Sequence, residues 1–313
     1  MMIKPRSVMM YGISGSTKTS QCYFLVKYLL SLSENKGKKF RMIHSDGGGY
    51  APFVDSGMID KGMVEVFDYS YREHALSDYR KLSQGYWPRQ TQDGKEYFVK
   101  DSNCLTTPDE WKQIAGYIIE GMSSSAQTLI THCSNQTEGV GFKESWRYEE
   151  DDEVVIGLQQ GHYGLIQKEI YSAHMKGFNN LPIQWLIYTS LLGKGEDKQK
   201  RETVYGPQVA GNATTPQVPS WFMDCLHLDK AKYADKNGTA TEGVVAWFTQ
   251  HVDAETGVPY LCKARCMPEL YVKLLEYFPY GFVPLGFKHG VDKYFAVLEK
   301  LRKENLNGNN GNI

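Results

Sequence analysis

The chain has 313 residues, 41% of them hydrophobic and 23% charged, enough to build one large core or two small ones. A formal net charge of -1 excludes a global basic field, so any nucleic-acid contact has to be local. Six cysteines (Cys22, Cys104, Cys133, Cys225, Cys262 and Cys266) lack the paired spacing of a zinc site and read as thiols of a reducing compartment.

Strand and helix signals alternate along the chain, which predicts a parallel sheet with crossover helices. Residues 7–11 form a first strand, and the apolar run breaks at Gly12, too soon for a secretory leader. Residues 19–33 follow as a helix with Phe24, Leu25, Tyr28, Leu29 and Leu32 on one side. Further strands are predicted at 40–46, running into three glycines, and at 63–69, followed by a helix through Leu82. Residues 84–106 are an aromatic and polar insertion. Thr107 as N-cap, Pro108 and two acids then announce a helix over 106–122. Residues 126–133 are the next buried strand, the acidic stretch 144–153 a solvated loop, and 162–178 a helix. The nearly all-apolar 181–192 is a central strand, followed by a charged loop. Residues 243–267 resemble an antiparallel hairpin turned at Glu255-Thr256-Gly257, and the Asn-rich tail 305–313 has no means of packing. One domain over 1–304 is the expectation. No apolar run approaches the ~20 residues that span a bilayer, so a soluble cytoplasmic protein is expected.

Gly12-Ile13-Ser14-Gly15-Ser16-Thr17-Lys18-Thr19 departs from the phosphate-binding pattern G-x-x-x-x-G-K-[ST] only at Thr17. Such a loop aims backbone N–H groups at phosphate oxygens, with a helix N-terminus behind them, a lysine for the outer phosphates and a hydroxyl for Mg²⁺. Gly12, Ser14, Gly15, Ser16, Thr17, Lys18, Thr19 and Ser20 are therefore the candidate nucleotide-binding residues, with Thr19 facing the metal. Thr17 is tolerable in place of glycine if its dihedrals are ordinary.

The stretches "YGISGSTKTSQ", "GYWPR", "GHYGLIQKEI", "LPIQWLIYTS" and "PQVPSWFMDCLHLD" resemble P-loop proteins of bacteriophage genomes, similar to compact RecA-like ATPases of single-strand annealing and recombination. The resemblance runs from about Ser7 to Met267. It implies a RecA-like P-loop NTPase fold, a mainly parallel sheet flanked by helices, with ATP and Mg²⁺ as ligands. It further implies a host-cytoplasmic location and single-stranded DNA and further copies of the chain as partners.

Such enzymes place a water-activating acid at the tip of the strand after the P-loop helix, where this chain has Asp46. The magnesium-side acid would end the strand at 126–133, which offers Thr131 and His132 but no carboxylate. Thr131 would then hold the metal through water, and hydrolysis would be slow. Thr189 and Ser190 could sense the γ-phosphate. Lys263 and Arg265 resemble a K-x-R pair that hexameric relatives insert into a neighbour's site, making Arg265 a candidate catalytic finger. Lys194, Lys198, Lys200 and Arg201 occupy the loop where RecA-like proteins hold DNA. The leading function is therefore a phage-type ATPase acting on DNA. The alternatives are a nucleotide-binding switch or assembly protein with little turnover and, last, a small-molecule kinase.

Overall fold

The computed structural model describes residues 4–309 apart from 71, 73, 91–95, 99–110, 136–146, 151–152, 157–159, 235–237 and 287–288. Strand β1 (Arg6–Gly12) is its axis: Val8 and Met10 face one side and Met9 and Tyr11 the other, all four at 0% exposure. Alternation of side chains along a strand produces this double burial. Next come α1 (Lys18–Ser31), β2 (Lys39–His44), α2 (Ala51–Asp55), β3 (Val64–Asp68) and α3 (Ala75–Ser83). They are followed by β4 (Pro88–Gln90), β5 (Glu96–Phe98), β6 (Ile114–Glu120), α4 (Met122–Asn135), β7 (Arg147–Glu150), β8 (Glu153–Ile156) and α5 (Gln160–Ser172). The second half holds β9 (Trp185–Asp197), β10 (Glu202–Pro207), α6 (Val218–Trp221), β11 (Asp224–Ala234), β12 (Ala240–Trp247), β13 (His251–Val252) and β14 (Pro259–Tyr260). The last elements are β15 (Lys263–Ala264), α7 (Pro268–Tyr277), β16 (Phe282–Pro284) and α8 (Asp292–Asn309).

Across the sheet the strands run β3, β2, β6, β9, β1, β11, all parallel, and then β12 and β16, each antiparallel to its neighbour. One strand, β9, thus separates the P-loop strand β1 from β6. Helices cover both faces. Cys22, Leu25, Val26 and Leu29 of α1, with Leu274 of α7 and Phe295 of α8, pack on Val8, Met10, Ile118 and Ile187. Tyr79 of α3, Leu129 of α4 and Ile166 of α5 pack on Met9, Ile43, Ile119 and Tyr188. A fully buried leucine such as Leu25 contributes roughly 1.5–3 kcal/mol to holding its helix on the sheet.

Two expected elements exchange type. The helix expected over 106–122 gives way to strand β6 from Ile114. Its cap residues Thr107 and Pro108 lie outside the described residues. The run Ile114-Ala115-Gly116-Tyr117-Ile118-Ile119 is buried on both faces between β2 and β9. Gly116 is required there, because a Cβ would strike the Trp185 carbonyl and the Phe40 ring. Conversely, the strand expected at 126–133 is helix α4. Ala126, Leu129, Ile130 and Cys133 are the buried positions, and their spacing of three and four is one face of a helix.

Of the acidic stretch expected as a loop, Arg147–Glu150 and Glu153 belong to the antiparallel ladder of β7 with β8, and 144–146 and 151–152 lie outside the described residues. In the C-terminal third, β12 pairs with β11 and β16 rather than folding back on residues 259–264, and the turn at Glu255–Gly257 joins only the short β13 and β14. Among the described residues α8 runs to Asn309, the cysteines are all free, and no helix is long and apolar enough to cross a membrane.

Candidate functional site

The loop after β1 is shaped by a few residues. A Cβ on Gly12 would collide with the Leu228 carbonyl of β11, so the chain passes β11 only as glycine. The Ser16 N–H donates to the Ile13 carbonyl (3.2 Å), and Gly15 takes φ +77°. Thr17 takes φ +64° and ψ 13°, the left-handed region, so its dihedrals are not ordinary. The threonine occupies a conformation that suits glycine, at a cost of about 1–2 kcal/mol.

The first turn of α1 has no side-chain cap and no acid, which leaves its amides for an anion. Lys18 folds over the loop, its Nζ donating to the Ile13 carbonyl (2.7 Å), the Gly12 carbonyl (3.1 Å) and Ser16 Oγ (3.2 Å). Burial lowers the pKa of its ammonium, while the nearby Glu120 and Asp46 carboxylates oppose that shift. Ser14 is exposed and Ser20 half-buried.

Glycine at position 17 adopts this conformation without strain. Part of the gain is offset by the unfolded chain's greater freedom, about 0.5–1 kcal/mol. Thr17→Gly should therefore raise the melting temperature by about 1–3 °C in thermal unfolding. A lower melting temperature would mean that the Thr17 side chain does more for the fold than its backbone costs.

The acid missing from the sequence reading is Glu120, the last residue of β6. Its carboxylate is 3% exposed, and Oε1 accepts from Thr19 Oγ1 (2.8 Å) and from Thr189 Oγ1 (3.3 Å). The Gly121 N–H donates to Thr189 Oγ1 (2.8 Å), which fixes that hydroxyl's role as donor to the acid. Oε2 has no hydrogen-bond partner among the described residues. His44 Nδ1 stands 3.7 Å from it, too far for a hydrogen bond. The backbone of Gly49 lies directly against this carboxylate, where any Cβ would collide with it.

A hydroxyl and an adjoining carboxylate with an unpartnered buried oxygen make a hard-oxygen donor set that fits Mg²⁺, which takes one or two carboxylates and completes its shell with phosphate and water. Among the described residues no group of three or more His, Cys, Asp or Glu side chains could hold a metal ion by itself.

Asp46 is exposed two residues beyond β2. Its N–H donates to His44 Nδ1 (3.4 Å), and a Cβ on Gly121 would lie 3.4 Å from its own Cβ, so it stands beside the Glu120–Gly121 corner. The preceding Ser45 is tied to β6 and α4 through the Glu120 carbonyl (3.2 Å) and Ser125 Oγ (2.6 Å).

Other expected residues fall elsewhere. Thr131 is exposed on α4, nine positions beyond the helix start at Met122, about 13 Å along the helix. It takes no part in the site, and His132 shares its helix. Ser190 donates to the Gln208 carbonyl (2.7 Å) and lies 3.1 Å from Ser123 Oγ, joining β9 to α4. Lys194, Lys198, Lys200 and Arg201 are exposed along the β9–β10 hairpin, whose turn is held by Gln199 and Lys200 N–H groups on Asp197.

Arg265 is exposed, and its N–H pairs with the Met223 carbonyl, level with Ser7 at the opposite edge of the sheet from Gly12. Five strand residues separate the two levels, about 16 Å. Lys263 Nζ donates to the carbonyls of Phe222 (2.9 Å) and Pro219 (3.3 Å), so its charge is spent within its own chain.

Beside the loop, Tyr11 stacks on His227 (4.9 Å between ring centres), and His227 Nδ1 lies 3.1 Å from His251 Nε2. Burial pushes the His227 pKa down to about 3 and that of His251 to about 4, so the pair is neutral at physiological pH.

The fold and this corner together define an α/β protein with a mainly parallel sheet and a phosphate-loop-like turn between its axial strand and first helix. No family model matches the chain, and no curated protein matches it in sequence. Among solved structures it is similar to a KaiC-like protein, PH0186, of the hyperthermophilic archaeon Pyrococcus horikoshii OT3. The two are 10% identical with a TM-score of 0.37, covering 78% of this chain and 78% of the other.

Proposed function

We propose that this protein is a RecA-like P-loop NTPase that binds ATP with Mg²⁺ and hydrolyses it. The observation that carries the reading is the 2.8 Å contact between Thr19 Oγ1 and Glu120 Oε1, which brings the loop's hydroxyl and a buried acid to one point. The α1 N-terminus and Lys18 would take the phosphates. Thr19 and Glu120 would hold Mg²⁺, which neutralises charge on the phosphate oxygens when bound. Asp46, next to that corner and exposed, would orient the attacking water. Thr189 keeps Glu120 in place rather than reading the γ-phosphate itself.

Finding an acid beside Thr19 removes the argument for a switch that does not turn over, which rested on its absence. Action on single-stranded DNA is supported by the motif resemblance and by the four exposed basic residues on the β9–β10 hairpin, diluted by Glu196, Asp197 and Glu202. Of the K-x-R pair, Arg265 would be the member to reach another copy of the chain, a reading supported by its exposure and by the Lys263 ammonium's bonds to its own chain.

The test is ATP turnover with Mg²⁺, with EDTA, and with single-stranded DNA added. Magnesium-dependent release of phosphate is expected, and no release under any condition would sink the reading. Asp46→Asn separates chemistry from binding. ATP affinity should stay within a few-fold while turnover falls at least about tenfold, as for loss of a positioned base. Unchanged turnover would leave Asp46 as a turn residue only.

A further inference from the structure

We infer that His44 is a positioning residue for both acids of this site, an inference that rests on the ATPase reading above. His44 ends β2 directly opposite Glu120 on β6, and it is 1% exposed. One ring atom faces both acids: Nδ1 accepts the Asp46 N–H at 3.4 Å and stands 3.7 Å from Glu120 Oε2. The single lone pair of Nδ1 is taken by the Asp46 N–H, so this atom carries no proton to donate and makes no bond to the Glu120 carboxylate 3.7 Å away. The ring therefore fixes the turn that carries Asp46 while leaving Oε2 without a partner, as a metal-binding oxygen must be. Tyr50 packs edge-on against the ring (4.8 Å, 76°), and Gly49 closes over the carboxylate. The turn is entered through the Ser45 N–H on the Glu120 carbonyl (3.2 Å) and closed by the Gly49 N–H on the Asp46 carbonyl (3.0 Å), and the bond to His44 holds the Asp46 N–H between those two ties.

Three variants test this. Asparagine places an acceptor on Cγ where the ring has Nδ1, leucine removes the acceptor at similar bulk, and glutamine moves the acceptor further out. His44→Leu and His44→Gln should bind ATP within about threefold of the parent, yet lose about ten- to a hundredfold in kcat, the scale of a misplacement near 1 Å. His44→Asn should retain kcat within about threefold, with the parental Mg²⁺ half-saturation. Hydrogen exchange of the ligand-free protein supplies a readout apart from turnover. Amides of residues 46–50 should exchange faster in the leucine variant and at the parental rate in the asparagine variant.

Parental kcat in His44→Leu would overturn the inference, as would equal losses in the leucine and asparagine variants at equal melting temperature. Should His44→Leu fail to fold, His44→Asn decides: a tenfold lower kcat overturns the role, and near-parental kcat supports it. A parent without turnover would overturn the ATPase reading instead. The exchange arm then shows separately whether His44 anchors the turn.

Discussion

Lys18→Ala should abolish ATP binding while leaving the fold in place. The ammonium is the only side-chain cation that the described structure sets over the loop between β1 and α1, where it donates to two loop carbonyls and to Ser16 Oγ. Toward phosphate these donors would become charge-assisted bonds of about 1.5–3 kcal/mol each. Losing two of them corresponds to roughly 10²–10⁴-fold in affinity. The fold should barely register the change, because the loop lies at the surface and the three acceptors stay within reach of water. Removing Lys18 also relieves the desolvation that lowers its pKa. Titration calorimetry with ATP and Mg²⁺ measures the first effect and thermal unfolding the second. Parental affinity in Lys18→Ala would place the nucleotide elsewhere and end the argument for this loop.

How far the site can be read from the sequence depends on whether local signals agree with tertiary ones. At the phosphate loop they agree: an apolar strand, a glycine knot and an amphipathic helix each point to the same turn. The burial of Val8 to Tyr11 on both faces of the sheet follows directly from the unbroken apolar run. Asp46 was legible because it ends a run of strand formers and precedes three glycines. Between residues 107 and 135 the signals conflict. The cap sequence from Thr107 to Glu110 calls for a helix, yet Ile114–Ile119 is pulled into the sheet by burial on both faces. That exchange shifted the strand assignment and hid Glu120, the acid that was sought on the wrong element. A signal was present: Ala126, Leu129, Ile130 and Cys133 keep helical spacing, and Gly121 separates them from the apolar run that Glu120 ends. The left-handed Thr17 and the contact of His44 with both acids depend on backbone geometry and strand register. Composition and spacing do not encode either.

Glu120→Gln should separate metal use from folding more sharply than any other change. Glutamine is the same size and keeps an acceptor for Thr19 Oγ1 and Thr189 Oγ1, so the corner retains its shape. What disappears is the negative charge on a 3%-exposed side chain whose Oε2 has no partner. A buried, half-satisfied charge costs more than a neutral amide in the same place, so the variant should be more stable without metal, by about 1–2 kcal/mol. Mg²⁺ then loses its only buried carboxylate at Thr19. Its half-saturation should rise on the order of tenfold or more, and turnover should fall by at least about a hundredfold, a few kcal/mol of lost charge stabilisation. Binding of ATP without metal should change little. Thr131→Val, on the exposed side of α4, serves as the control and should match the parent in both Mg²⁺ response and turnover. Higher melting temperature with lost turnover is the signature of a charge kept for function at the expense of stability. If Glu120→Gln instead destabilises the fold and retains the parental Mg²⁺ response, Glu120 is a structural acid that ties β6 to α1 and β9, and the metal must be held elsewhere.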